Sequence, residues 1–380
     1  MDGLQEILQL AFSGSAWDDL GRRSPALKDF LEGVLFRGSP PLRRAPFDAQ
    51  SCSEEAKAHH AVWSSWPAVR RELESAIAQK VETARSASTE LGNGMARYDI
   101  FPAGVLQLLY ASSLDVEQSE FDTQRSGQAL LDDLERVQKS LQQLFDSISE
   151  DSAKGVQDWD EAQVQVLDFN PCAHKGSLFA STPFPFPAKY LDAVGRTINN
   201  GTRADLVITG PGHITYGHND ENLLGFSSLQ IKGYKLWLIW PGTLPRVRAQ
   251  LARAAQKMAM KDLHWCFEAL GQPEVYIMEP GSILVGNPGY IHAVLSLSPS
   301  AHWTIAFASG AFKAYADDAK RIWKRWLRSK SAMRKPGLED EGQPGFLAKF
   351  VSEWRTTTKD GEAVWMDWHS LHGESKEEDE

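Results

Sequence analysis

The sequence predicts an α+β protein: a barrel or jelly roll of short strands held between two helical regions. Three observations carry that expectation. Apolar residues recur at helical spacing through 1–155, short β-type runs punctuated by Gly, Pro and Asn fill 156–315, and helical spacing returns over 316–368. The strands follow one another without the interleaved helices of a βαβ chain, which favours an all-β core over a doubly wound sheet.

At the N-terminal end, Leu4, Ile7, Leu8 and Phe12 share a helical face, and 69–84 and 129–148 repeat the pattern. Proline and glycine at 39–47 and 91–106 break the region into several short helices. The strand candidates are VQVLDF, ADLVITG, FSSLQI, KLWLIW, VYIM, SILV and HWTIAFA, with a helical insertion over 245–270 among them. Helical spacing returns after Gly310, Leu347–Trp354 is a further short helix candidate, and 369–380 reads as a disordered acidic tail.

With 380 residues, 42% of them hydrophobic, the chain can bury a large core. A net charge of −10 and a pI near 5.5 oppose general attraction to nucleic acid or to an anionic membrane. Cys52, Cys172 and Cys266 form no C-x-x-C pair, so neither a disulfide framework nor a cysteine-rich zinc module is expected. The stretch MDGLQEILQLAFSG has acids where a signal peptide is basic, and no apolar run reaches the roughly 18–20 residues of a membrane span. The expectation is a soluble intracellular protein, cytoplasmic or nuclear, with no membrane partner.

The chemistry concentrates around HITYGHND, 213–220. On an extended segment, His218 and Asp220 project to one face, and an interior aspartate is costly unless paired or coordinated. A polar surface turn is the plain alternative. Thr215 precedes His218, Lys235 opens the apolar strand KLWLIW, and His292 follows the bend of PGSILVGNPGYIHAVLS. Two histidines and a carboxylate make a facial set for iron(II), leaving positions open for a chelating oxo acid. Lys235 and Thr215 would then hold that acid's distal carboxylate. As the strand's first residue, Lys235 can also simply snorkel outward.

These pieces together, TYGHND, GYKLW with Pro241 behind it, and Pro280-Gly281 leading to His292-Ala293-Val294, resemble the Jumonji C (JmjC) family of iron(II)- and 2-oxoglutarate-dependent oxygenases in the cupin superfamily. The resemblance spans roughly 165–310. It implies a double-stranded β-helix, His218, Asp220 and His292 as catalytic metal ligands, and Thr215 and Lys235 as 2-oxoglutarate-binding residues. It also implies oxidative decarboxylation of 2-oxoglutarate coupled to hydroxylation of a protein side chain or small molecule. Alternatives are a JmjC N-methyl-lysine demethylase of histones or other proteins, a metal-binding cupin without oxygenase activity, and a cupin isomerase or dioxygenase needing no oxo acid. The chain departs from the family at Asn287, where a proline is common, and at Ser296, often asparagine. Tyr216, Ser228 and Tyr290 are candidates to complete the cosubstrate pocket.

Other histidines compete less well. His213 has the opposite strand parity to His218, His264 belongs to the insertion, and His302 follows the turn SLSPSAH. His59, His60, His174, His369 and His372 read as surface or packing residues. The stretch 320–335 holds eight Lys or Arg with Ile322, Trp323 and Trp326 between them, the pattern of a helix with one basic and one packing face. An acidic partner, a nuclear address or substrate positioning are its functional readings. PFPFP at 183–187 reads as packing before aromatic cage. Trp323, Trp326, Phe350 and Trp354 offer a homodimer surface on the C-terminal helices.

Overall fold

A computed structural model describes residues 18, 21–22, 24–45, 54–75, 78, 107–110, 142, 145–149, 164–169, 177–179, 181–182, 184–185, 204–210, 212–219, 225–251 and 263–307. The helices expected over 316–368, the dimer surface expected on them, the basic stretch 320–335 and the tail 369–380 lie outside the described residues. So does Asp220.

The described chain mixes helices with two sheets whose strands pair mostly antiparallel. In order come α1 (Pro25–Arg37), β1 (Leu42–Arg44), α2 (Glu54–Trp63), β2 (Gln107–Tyr110), β3 (Val164–Phe169), β4 (Asp205–Thr209), β5 (Ile214–His218), β6 (Gly225–Lys232) and β7 (Lys235–Trp240). Then follow α3 (Pro245–Arg248), α4 (Leu263–Leu270), β8 (Glu274–Met278), β9 (Ile283–Gly286), β10 (Ile291–Ser296) and β11 (Ser300–Phe307). One sheet has the order β1-β8-β7-β10-β5, the other β2-β3-β4-β11-β6-β9. Every strand candidate from the sequence is present.

The N-terminal region is less purely helical than its spacing predicts. β1 lies in the proline-rich break, where Pro40 and Pro41 precede it and disfavour helix, and it adds to the first sheet parallel to β8. β2 adds to the second sheet beside β3. α1 starts with Pro25 in its first turn and ends at Gly38, whose φ of 63° is the left-handed conformation that glycine adopts freely.

From β4 to β11 the pairing is nested. β7 pairs with β8, β6 with β9, β5 with β10 and β4 with β11, all antiparallel. β7 also pairs with β10 and β6 with β11, so this long folded ribbon is rolled into two sheets.

Alternation sorts each strand into an outward and an inward face. Outward from the second sheet, Leu206, Ile208, Leu229, Ile231, Ala301, Trp303 and Ile305 pack under Trp63, Trp66, Val69, Phe145, Phe179 and Phe184. Trp63 is the centre of that core, 5.1 Å from Trp303 and 5.0 Å from Phe179, while Trp303 Nε1 donates to the Trp63 carbonyl. Phe184 of PFPFP packs edge-on to Trp63, a core role. Trp240, outward on the first sheet, meets Phe267 of α4, which stacks on Phe30 of α1. Helical regions thus cover the outer faces, as amphipathic segments must.

The inward faces differ in character. One end is apolar, with Phe226, Trp237, Ile239, Met278, Leu284 and Val294 in one cluster. Beside it lie buried Thr209, Gln230, Lys235, Ser296, Ser300 and His302. Buried polar side chains at this density are costly as mere packing.

Candidate metal centre

His218 ends β5 and His292 sits near the start of β10, and the two are direct partners across the antiparallel ladder. Their ring centroids are 4.2 Å apart. His218 Nδ1 lies 2.8 Å from the Tyr216 carbonyl, which can only accept. A proton on Nδ1 makes that hydrogen bond and orients the ring. His292 is 2% exposed and its ring is wedged between Phe226 at 4.4 Å and Trp237 at 5.2 Å, which holds it in one orientation. A preset ring loses little freedom on ligating.

Phe226 reaches that position because Gly286 faces it across β6 and β9. A Cβ at Gly286 would run into the Phe226 ring. Asn219, between the two expected ligands of H-N-D, is buried and donates from Nδ2 to the Tyr290 carbonyl at 2.9 Å. It ties the end of β5 to the bend that delivers His292. Sequence reasoning passed over Asn219; its place between two candidate ligands was the available signal.

Thr215 lies three residues before His218, which in a regular strand would put it on the other face. The ladder between β5 and β10 carries a register shift: His292 faces His218, and Val294 faces Thr215. The extra residue in β5 is a bulge, and it returns Thr215 to the inward face. The same shift undoes the parity that separated His213 from His218. The His213 carbonyl accepts from Ser296 N, so His213 lies level with Ser296 at the far end of the ladder from the histidine pair.

Lys235 points inward on β7 and is 2% exposed. The outward, snorkelled placement does not occur. Its Nζ is 2.8 Å from Nδ1 of His302 on β11 in the opposite sheet. Burial pushes the Lys235 pKa down from 10.5 to about 7, because a charge removed from water without an anion beside it is disfavoured. Among the described residues no carboxylate pairs with it.

Lys235 faces Ser296, and Ile239 faces His292, so the lysine stands four residues along β7 from the histidine row. That is about 13 Å of backbone at strand rise. Trp237 stands between them on the same face, its ring stacked on His292.

His302, set aside in the sequence because it follows a turn, is inside a strand and buried. Its alternation with Trp303 was the signal: Trp303 faces the outer core, so His302 faces inward. His264 is exposed on α4 beside Glu268. His60 is a packing residue, its Nε2 2.7 Å from the Gly281 carbonyl. Of the candidates to complete a pocket, Ser228 is inward and its Oγ donates to Thr304 Oγ1, whereas Tyr216 and Tyr290 contribute the carbonyls already described.

Two histidines side by side, each ring held by its neighbours, fit two of the three protein positions of an iron(II) facial set. Asp220, the expected carboxylate, lies outside the described residues, and among the described residues no group of three His, Cys, Asp or Glu is gathered. Comparison with models of known protein families gives no match, and neither does comparison with curated protein sequences.

Proposed function

We propose that the chain is an iron(II)- and 2-oxoglutarate-dependent oxygenase similar to the JmjC family, hydroxylating a protein side chain or small molecule. The observation that carries this is one face holding both centres: the His218–His292 pair at one end of the β5, β7 and β10 ladders, and an inward Lys235 without a carboxylate partner among the described residues at the other. A metal site alone explains the histidines. It does not explain a lysine buried at the cost of its charge, which a dicarboxylate would restore.

The nested pairing of β4 to β11 supports a double-stranded β-helix, since a hairpin of eight strands rolled on itself has this neighbour order. Helices on both outer faces leave the space between the sheets as the place for chemistry.

In this reading His218, His292 and Asp220 hold the iron. The bound metal and oxo acid supply the oxygen activation. Phe226 and Trp237 fix His292 and keep water from its ring. Lys235, recharged by the incoming carboxylate, anchors the cosubstrate's far end, with Thr215 on the same face nearer the metal.

The deciding experiment is an anaerobic titration of the protein with iron(II) and 2-oxoglutarate, following the visible charge-transfer band of the chelate. The band should form in the wild type and weaken in Lys235→Ala with iron binding unchanged. Iron binding with no band leaves a cupin without oxo-acid chemistry and ends the oxygenase reading.

A further inference from the structure

The role proposed for Lys235 leaves His302 unexplained. The two nitrogens are 2.8 Å apart, one on β7 and one on β11, so the contact bridges the two sheets. Lys235 is 2% and His302 5% exposed. Two nitrogen bases at this distance make one hydrogen bond, and two positive charges there would repel. As a structural link it is poorly chosen: two hydrophobic side chains, or two hydroxyls, would join the sheets at lower desolvation cost.

Aromatic and hydroxyl side chains surround the pair. Trp237 stands edge-on to the His302 ring at 5.8 Å and 82°. Thr209 Oγ1 contacts Ser296 Oγ at 2.7 Å and Ser300 Oγ at 3.2 Å, so the hydroxyls flanking Lys235 and His302 largely satisfy one another. Gln230, the neighbour of His302 on β6, binds the carbonyls of Lys232 and Gly233 through Nε2 and so braces the turn into Lys235. The contact thus sets one nitrogen from each sheet side by side in a buried, polar-lined region.

We propose that His302 is the second half of the receptor for the cosubstrate's distal carboxylate, which is held across the two sheets by an ammonium and an imidazole together. This rests on the 2-oxoglutarate reading above. A carboxylate has two oxygens and accepts from both donors at once, turning an unfavourable base-to-base contact into two charge-assisted bonds. His302 is thereby a specificity-determining residue: it favours 2-oxo diacids over 2-oxo monoacids and has no part in holding the metal.

The test compares 2-oxoglutarate with pyruvate, which chelates alike and has no distal carboxylate, in anaerobic iron(II) titrations of wild type, His302→Ala and His302→Gln. Expected is unchanged iron affinity, about a tenfold or larger rise in the 2-oxoglutarate dissociation constant for His302→Ala, a smaller rise for His302→Gln, which retains an N–H donor, and no change for pyruvate. A wild-type ratio of the two affinities in both variants overturns the role of His302 while leaving the cosubstrate reading intact, as does equal weakening of both acids, which marks a structural effect. Failure of the wild type to bind 2-oxoglutarate overturns the cosubstrate reading itself. If neither variant folds, the imidazole nitrogen-15 signals of His302 in wild type decide: a shift with 2-oxoglutarate but not pyruvate supports the proposal, and no shift with either overturns it.

Discussion

His218 and His292 stand directly opposite each other on neighbouring antiparallel strands, with ring centroids 4.2 Å apart. Each ring is held separately, His218 by the Tyr216 carbonyl and His292 by Phe226 and Trp237, so removing one leaves the other in place. His218→Ala and His292→Ala should each fold and each lose iron(II) affinity by more than the roughly 10–100-fold that a lost supporting contact costs. Asp220→Asn should fall with them. Competition against a chelating dye measures this, and full metal occupancy in His218→Ala would sink the ligand assignment.

Gly286 connects backbone to metal site through one aromatic ring. Because a Cβ there meets Phe226, Gly286→Ala should push that ring off His292, with a cost of about 1–3 kcal/mol for overpacking and a weakened metal affinity. Phe226→Leu in the Gly286→Ala background should recover stability by making room, but not metal affinity, since the wall against His292 is thinner. Thermal melts and metal titrations of the two single variants and the double variant form the cycle. Additive losses of stability in the double variant would show that the two residues do not meet as described.

The strands were legible because short β-branched and aromatic runs between Gly, Pro and Asn have few other outcomes: β6 to β11 lie within a few residues of FSSLQI, KLWLIW, VYIM, SILV, the run after His292 and HWTIAFA. β1 was not, since LRR carries no strand pattern and is extended by the prolines before it and by a free edge at β8. Types and spacing singled out His218, His292, Thr215 and Lys235, which the ladders bring to one face, yet the reason Thr215 shares a face with His218 is a bulge that parity cannot foresee. His302 was passed over because its partner, Lys235, is 67 residues away in sequence and meets it only across two sheets. Asn219 hid between two stronger candidates. Contacts made along one strand are readable in sequence; contacts made between sheets wait for the fold.

Lys235 should make stability depend on alkaline pH. Burial lowers its pKa from 10.5 to about 7, so between these values the unfolded chain holds a proton that the folded chain does not. Stability then rises with pH across roughly 7 to 10.5, by up to about 1.4 kcal/mol per unit, and the penalty is fully present below 7. His302 is the titratable group that faces Lys235 from β11; Met278 and Ser296, its partners on β8 and β10, are uncharged. Lys235→Met should be more stable than wild type at pH 6.5, with the advantage shrinking toward pH 10. Urea unfolding of both proteins across this range measures it, and parallel curves would mean that Lys235 keeps its charge in the fold.

Trp237 and Trp240 offer a matched pair on one strand. Trp240 Nε1 donates to the Gly271 carbonyl at 2.7 Å, whereas Trp237 Nε1 is buried on the inward face with no acceptor among the described residues. The same change to phenylalanine should therefore have unequal effects on the unliganded protein. Trp240→Phe strands a carbonyl and should cost about 1–3 kcal/mol more than Trp237→Phe, which removes an unsatisfied donor. With cosubstrate the order should reverse: Trp237→Phe weakens 2-oxoglutarate binding, because its indole N–H is a ready donor to an anion entering between the sheets, while Trp240→Phe leaves that binding alone. Melting curves with and without 2-oxoglutarate and a redox-inert divalent metal read both halves. If the ligand stabilises wild type and Trp237→Phe equally, the indole N–H takes no part in binding and Trp237 serves only to hold His292.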